Sequence, residues 1–267
     1  MVAVRNFDAY KHAVESIRDI YGDKTYLKPK QLLKFGRNPN VGATKATVQQ
    51  FSQAGTPEIN ETYVTTNLIN RIVSSNDNDE HDIYIEGHSV DGSGNLTFVT
   101  QTVALDGQTG SPLTTALARM TRMYNADTTA TAGTVYGYQS TSSVSSGVPQ
   151  DNTKIHCLFD ATEQNSLKAS TSFSQSDYGV ITTLYGSIGK NKTANAVVRF
   201  EVRNQGGVFR TQFTWELDNV GQGGFVFHPD PFILIPPNSD VRFTAVASTT
   251  DVIISAGFDA YLALIAS

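Results

Sequence analysis

Ile235-Pro-Pro-Asn-Ser-Asp-Val-Arg-Phe-Thr-Ala-Val-Ala-Ser-Thr-Thr-Asp-Val-Ile-Ile-Ser-Ala-Gly-Phe-Asp-Ala-Tyr-Leu-Ala-Leu-Ile265 decides the fold class. Val241, Phe243 and Ala245 alternate with Arg242 and Thr244. After a polar turn, Val252, Ile254, Ala256, Phe258, Ala260, Leu262 and Leu264 occupy every second position. Period-two alternation makes a strand with one buried face. The reading is therefore two long strands joined as a last hairpin, with Pro236 and Pro237 fixing the turn into it. A chain that carries such strands belongs to a β-sandwich or barrel.

The same pattern recurs upstream. In 195–203, Val198, Phe200 and Val202 alternate with Arg199, Glu201 and Arg203. In 207–217, Phe209, Phe213, Trp215 and Leu217 share a face, with Gln205-Gly206 as the turn between the two strands. Trp215, the only tryptophan, is expected in the core. Further strands are expected at 68–74, 82–88, 96–105, 117–124 and 133–138. Asp91-Gly-Ser-Gly-Asn95 reads as a hairpin turn. Ser140 to Pro149 reads as a linker or long surface loop.

The first 45 residues differ in kind. Asn6 can cap a helix running to about Tyr21, and Phe7, Tyr10, Val14, Ile17 and Tyr21 form one apolar stripe along it. Gly36, Pro39 and Gly42 punctuate the stretch that follows. Residues 1–45 carry nine Lys/Arg against four Asp/Glu, a net of +5, while residues 46–267 carry a net of −10. A basic arm on an acidic body suits docking onto an acidic partner or another copy of the chain. The expected organisation is a helix and extended arm over 1–45, a first β unit over 46–150 and a second β-sandwich unit over 151–267. The fold class is all-β: a sandwich or jelly-roll-like body of one or two units with an N-terminal helical arm.

Composition narrows the function. Hydrophobic residues make up 39% and charged residues 17% of 267. Ser, Thr, Asn, Gln and Gly fill the difference, which suits short strands and many polar turns. No apolar run reaches the ~18 residues of a membrane span. The first residues lack a signal-peptide apolar core, so cytoplasmic synthesis is expected. The basic residues form no nucleic-acid-binding motif.

The same residues offer little catalytic chemistry. Cys157 is the only cysteine, and His156 beside it points to the opposite face of a strand, so it is read as a buried apolar residue. His81, Asp82, Glu86 and His88 offer metal-ligating chemistry without the His-Glu-x-x-His spacing, and a polar strand face is preferred. Ser75-Asn-Asp-Asn-Asp-Glu80 lacks the EF-hand order and reads as an acidic turn. No catalytic residue, metal or cofactor is expected, and the chain is read as a non-enzyme.

Five pieces fall in order along residues 34–265: Lys34-Phe-Gly-Arg-Asn-Pro-Asn-Val-Gly42, Val103-Ala-Leu-Asp-Gly-Gln-Thr109, Ala132-Gly-Thr-Val-Tyr-Gly137, Gly206-Gly-Val-Phe-Arg-Thr-Gln-Phe213, and the pair of strands from Ile235 to Leu264. Together they resemble a group of virion structural proteins from tailed bacteriophages, including marine and cyanobacterial phages. The resemblance implies a particle component assembled in the host cytoplasm. A capsid decoration or cement protein comes first. A neck, tail or fibre-attachment protein, or a module binding host-surface glycan, is the alternative. Its implied partners are other virion proteins, the major capsid protein or neck and tail proteins, and further copies of itself, with a trimer as one arrangement. Neither membrane nor nucleic acid is expected as a partner. The arm residues Phe7, Tyr10, Val14, Ile17, Tyr21, Lys34, Phe35 and Arg37 are the expected interface.

Overall fold

The computed structural model describes residues 30–49, 61–189 and 193–264. The helix expected over residues 6–21, with Phe7, Tyr10, Val14, Ile17 and Tyr21, lies outside them. The described elements are almost entirely strands: β1 (Lys30–Val41), β2 (Ala46–Thr47), β3 (Ile69–Ser74), β4 (Asp82–Val90), β5 (Leu96–Ala104), β6 (Ser111–Leu117), β7 (Arg119–Asn125), β8 (Val135–Gln139), β9 (Val144–Ser145), β10 (Val148–Pro149) and β11 (Ile155–Phe159). They continue with β12 (Ser170–Phe173), β13 (Asp177–Gly189), β14 (Asn195–Asn204), β15 (Arg210–Asp218), β16 (Gly224–Phe227), β17 (Ile233–Ile235), β18 (Ser239–Ala247) and β19 (Val252–Leu264). A single 3-10 turn, Asn152–Lys154, is the one described helical element.

Two sheets make the principal sandwich. One runs β1-β19-β13-β16 and the other β12-β18-β14-β15, all antiparallel. Taken in chain order, these eight strands pair first with last, second with seventh, third with sixth and fourth with fifth. That nesting is one long hairpin rolled into two sheets, the jelly roll. The all-β expectation holds for the described residues, and the jelly-roll form of it is realised in strand order.

A second unit is inserted between the first and second strands of the roll. Its sheets run β11-β8-β3-β6 and β5-β4-β7. Its core holds Ile72, Ile85, Leu117, Met123, Val135 and Phe159. The expected boundaries at 45/46 and 150/151 therefore do not follow the pairing. β1 and β2 lie in the sheets of the roll, and β11 pairs with β8 in the inserted unit. The Ser140–Pro149 stretch is a surface loop closed by the small β9–β10 hairpin within that unit, not a linker between units. The strand expected at 117–124 is β7, except that Leu117 ends β6 of the other sheet and Ala118 separates the two.

The stretch 30–41 corrects the reading of an arm. It is a strand of the body, paired along β19 from Lys30↔Leu262 to Val41↔Val252. Its punctuation has structural causes. A Cβ on Gly36 would stand 2.2 Å from both the Ala169 nitrogen and the Val48 oxygen, so only glycine fits. Pro39 falls where the register shifts between Asn38 and Val41, a place where a missing N–H costs no ladder bond.

The last two strands are also corrected. β18 and β19 lie in opposite sheets of the sandwich, and the polar stretch between them carries the chain across. Their inward residues meet there. Phe200, Phe243 and Phe258 are fully buried, with ring centroids 5.3 and 6.1 Å apart for the Phe200–Phe243 and Phe200–Phe258 pairs. Trp215 packs at the margin of this core, half-buried and stacked on Phe225 at 4.1 Å. The expectation of an open outer face on β18 fails. Arg242 and Thr244 are buried too, because Glu201, the Phe209 ring and β2 cover them.

Phe200→Ala removes a ring at the point where the two sheets meet. It is expected to lower unfolding free energy by about 3–5 kcal/mol in urea titration.

Candidate functional site

The region that organises the molecule is the seam between the roll and the inserted unit. β7 of the inserted unit delivers Arg119, and β18, β14 and β12 of the roll deliver Asp240, Arg203 and Ser172. Asp240 has no solvent exposure. Arg119 Nε donates to its Oδ1 at 2.9 Å and Arg119 Nη2 to Oδ2 at 3.1 Å. Arg203 Nε donates to Oδ2 at 2.8 Å, and Ser172 Oγ to Oδ1 at 2.6 Å. Burial pushes the Asp240 carboxyl up. The charges of Arg119 and Arg203, with the Arg119 and Ser172 hydrogen bonds, outweigh it and hold the group below the ordinary carboxylate range. The rest of the Arg119 guanidinium is spent on Gln205 Oε1 at 2.6 Å and on the carbonyls of Ala118 and Val64.

A second buried pair lies along the same seam. Lys168 donates to Glu61, to the Met120 carbonyl at 2.7 Å and to the His156 carbonyl at 2.9 Å, and Ser170 Oγ reaches Glu61 at 3.2 Å. A third, Glu201 with Arg242 and Lys45, sits beneath the Phe209 ring. Three arginines, Arg119, Arg203 and Arg242, lie 4.4–5.9 Å from the Tyr63 ring centroid. Cations over aromatic faces recover part of the solvation lost on burial.

The expected interface residues separate. Lys34 is buried, and its Nζ donates to the Thr121 carbonyl at 2.7 Å, so it ties the roll to the inserted unit within one chain. Burial pushes its ammonium down to about 8, offset in part by Glu86. It is not available to another subunit. Phe35, 45% exposed, and half-buried Arg37 face away on the other side of β1.

The metal-ligand candidates also separate. His81 Nδ1 stands 3.3 Å from Asp127 Oδ2, which also accepts the Asp82 N–H at 2.9 Å. His88, seven residues along the chain on β4, is buried against Phe98 with ring centroids 5.4 Å apart. Among the described residues its Nδ1 has no hydrogen-bond partner. Burial, reinforced by the charges of Lys34 and Arg119 against the opposing pull of Asp240, lowers its pKa to about 3. In the 75–80 loop Asp79 turns inward. It accepts from Ser74 Oγ at 2.6 Å and from the Ala132 and Gly133 N–H groups at 2.9 Å, which makes it a brace for the chain. Cys157 is buried, as expected, and burial pushes its thiol up. Its neighbour His156 faces the other way, 2.8 Å from the Gln139 amide, with its pKa lowered to about 3 by burial and then by Lys168.

Between β1, β12 and the inserted unit's β4 and β5 lies a cleft of about 1150 Å³. Lys30, Lys34, His88, Phe98, Arg122 and Phe173 are among its lining residues. Lys30 Nζ sits 4.8 Å from the Phe98 ring centroid at its mouth. Sequence alternation could not show the cleft, because its walls come from strands far apart in the chain.

No protein-family model and no curated protein matches the sequence. Among solved structures, the infectious bursal disease virus VP2 subviral particle is similar at 11% identity and a TM-score of 0.22, over 91% of this chain and 74% of that one. The T=1 particles derived from the same virus give 10% and 0.20, over 91% and 71%. At these TM-scores the likeness carries no argument for fold or function.

Arg119→Ala leaves Asp240 short of its main counter-charge and is expected to cost about 3–5 kcal/mol in denaturant unfolding. Lys154→Ala, which removes the exposed pair with Asp151, is expected to cost less than about 1 kcal/mol. His88 and His156 are held neutral, with folded pKa values of about 3 against 6.5 unfolded. Their contribution is complete above the unfolded value and is lost as pH falls below it. The unfolding free energy is expected to drop below about pH 6.5, by up to about 1.4 kcal/mol per pH unit per histidine. A His88→Gln/His156→Gln variant is expected to show a shallower pH slope. Cys157 is expected to react with a thiol reagent only at the rate of unfolding, followed by absorbance in the native buffer.

Proposed function

We propose that the chain is a structural component of a tailed-phage virion, with capsid decoration or cement as its place in the particle. The observation that carries the reading is an eight-stranded jelly roll locked by buried ion pairs to a second β unit. Jelly rolls build viral shells, and they also serve lectins and cupins, so fold alone does not choose among these roles. The ordered run of phage-like motifs over 34–265 supports the shell component. The proposed role is not enzymatic.

In this reading the docking element is the segment that precedes β1, with Phe7, Tyr10, Val14, Ile17 and Tyr21 as the apolar positions its sequence offers. The partner is the major capsid protein of the head. The cleft beside His88 and Phe98 favours one second reading, a host-surface glycan module, because aromatic rings with nearby cations and hydroxyls suit sugar faces and edges. A neck, tail or fibre-attachment role uses the same rigid body at another place in the particle.

The test is co-sedimentation of the full chain with heads lacking it from the virus that encodes it. Binding at a saturating copy number, with a higher temperature of head disruption, is expected. A variant lacking residues 1–29 keeps all of β1 and is expected to stay in the supernatant. Full-length chain that never sediments with heads, yet binds on a glycan array, would replace the shell role with the glycan reading.

A further inference from the structure

The outer face of the sheet β1-β19-β13-β16 is built in rows set by the register. The middle row is Phe35, Gly257, Tyr185 and Val226. On one side lies the row Arg37, Ser255, Ser187 and Gly224. On the other, Leu33 stands opposite Asp259, which stands opposite Thr183. Val226 is 69% exposed, Leu33 60% and Phe35 45%. Tyr185 lies flat across Gly257, where a Cβ would stand 2.7 Å from its ring, and its hydroxyl donates to the Lys34 carbonyl at 3.3 Å. The middle row is therefore low and apolar, with a cation on one flank and a carboxylate on the other.

Among the described residues, the Arg37 guanidinium and the Asp259 carboxylate have no hydrogen-bond or ion-pair partner. Both are half-buried. Partial burial holds the Asp259 carboxyl above its ordinary range, against the pull of His228.

We propose that this face docks a second copy of the chain about a two-fold axis that lies across the strands at Phe35. Rotation about that axis sets Phe35 against Phe35 of the other copy. It also sets Arg37 over the other copy's Asp259, and Asp259 over its Arg37. An isologous interface requires this reciprocity, because each residue meets its complement only if the patch is complementary to itself. The ion pairs place the facing strands near the crossing of about 30° at which aligned sheets pack. The extent is of the order required. The four strands, of 12, 13, 13 and 4 residues, spaced about 4.8 Å apart and rising about 3.3 Å per residue, give a face of roughly 670 Å², against the about 800 Å² that each partner buries in a standard interface. The inference concerns self-association and stands whether or not the virion reading holds.

Light scattering on the full chain tests it. A mass of twice 28.9 kDa is expected. Arg37→Asp and Asp259→Arg each place like charges in contact and are expected to raise the dimer dissociation constant at least about tenfold. The Arg37→Asp/Asp259→Arg double variant restores opposite charges and is expected to recover the dimer. Phe35→Glu, a change at an exposed position, is expected to give a folded monomer by circular dichroism. A monomeric wild type overturns the proposal. So does a dimer or trimer indifferent to both charge reversals, or a double variant that associates no better than the single ones.

Discussion

A carboxylate without solvent, Asp240, holds two β units together. It takes hydrogen bonds from Arg119 of the inserted unit and from Arg203 and Ser172 of the roll, so three strands of one unit and one of the other meet on two oxygens. An ion in that position is stable only when fully coordinated, and removing any one ligand leaves charge in a dry site. The relative placement of roll and insert is thus fixed by coordination geometry more than by apolar contact. Around it, Lys34 on Thr121, Lys168 on Glu61 and Asn238 on Leu96 repeat the same principle with weaker elements.

This seam explains the composition. A chain with modest apolar content still closes two cores, because polar residues that would otherwise face water are consumed between the units. Arg119, Lys168, Asp240, Glu201 and His88 are all buried. Buried polar groups are tolerated when partnered, and most of these are. His88 is the exception, its Nδ1 finding no hydrogen-bond partner among the described residues.

Strand alternation makes most of the roll legible in the sequence. The β14–β15 hairpin and the inward residues of β18 and β19 are where periodicity puts them, apart from Phe209, which lies beyond a register shift on Arg203 and Arg242 while Phe213 and Trp215 pack against the core. Asp91 to Asn95 turns β4 into β5, with the Asp91 carboxylate accepting the Ser93 and Asn95 N–H groups. β1 is hidden for a physical reason. Lys34 takes an inward-facing position, and Gly36 and Pro39 answer to close packing and a bulge, so a true strand looks like punctuated coil. The seam is illegible because its ligands are scattered. Asp240 and Arg119 are ordinary members of two alternating patterns, and only the fold brings them together. The paired charges of Arg37 and Asp259 are half legible: Arg37 reads as an interface residue, while Asp259 is hidden in the last strand.

The insertion also sets a timetable. β1 is made before the whole inserted unit, but its ladder partner is β19, with Lys30 opposite Leu262. The roll cannot close until β19 has left the ribosome. The inserted unit has its seven main strands contiguous in sequence, so its pairings carry a smaller loop-closure cost and can form first. β1 must wait through that interval as an unsatisfied edge with Leu33 and Phe35 uncovered. The buried Lys34 in its midst then has a second use: while β1 is solvated, a charge on that strand opposes premature pairing with a neighbouring nascent chain.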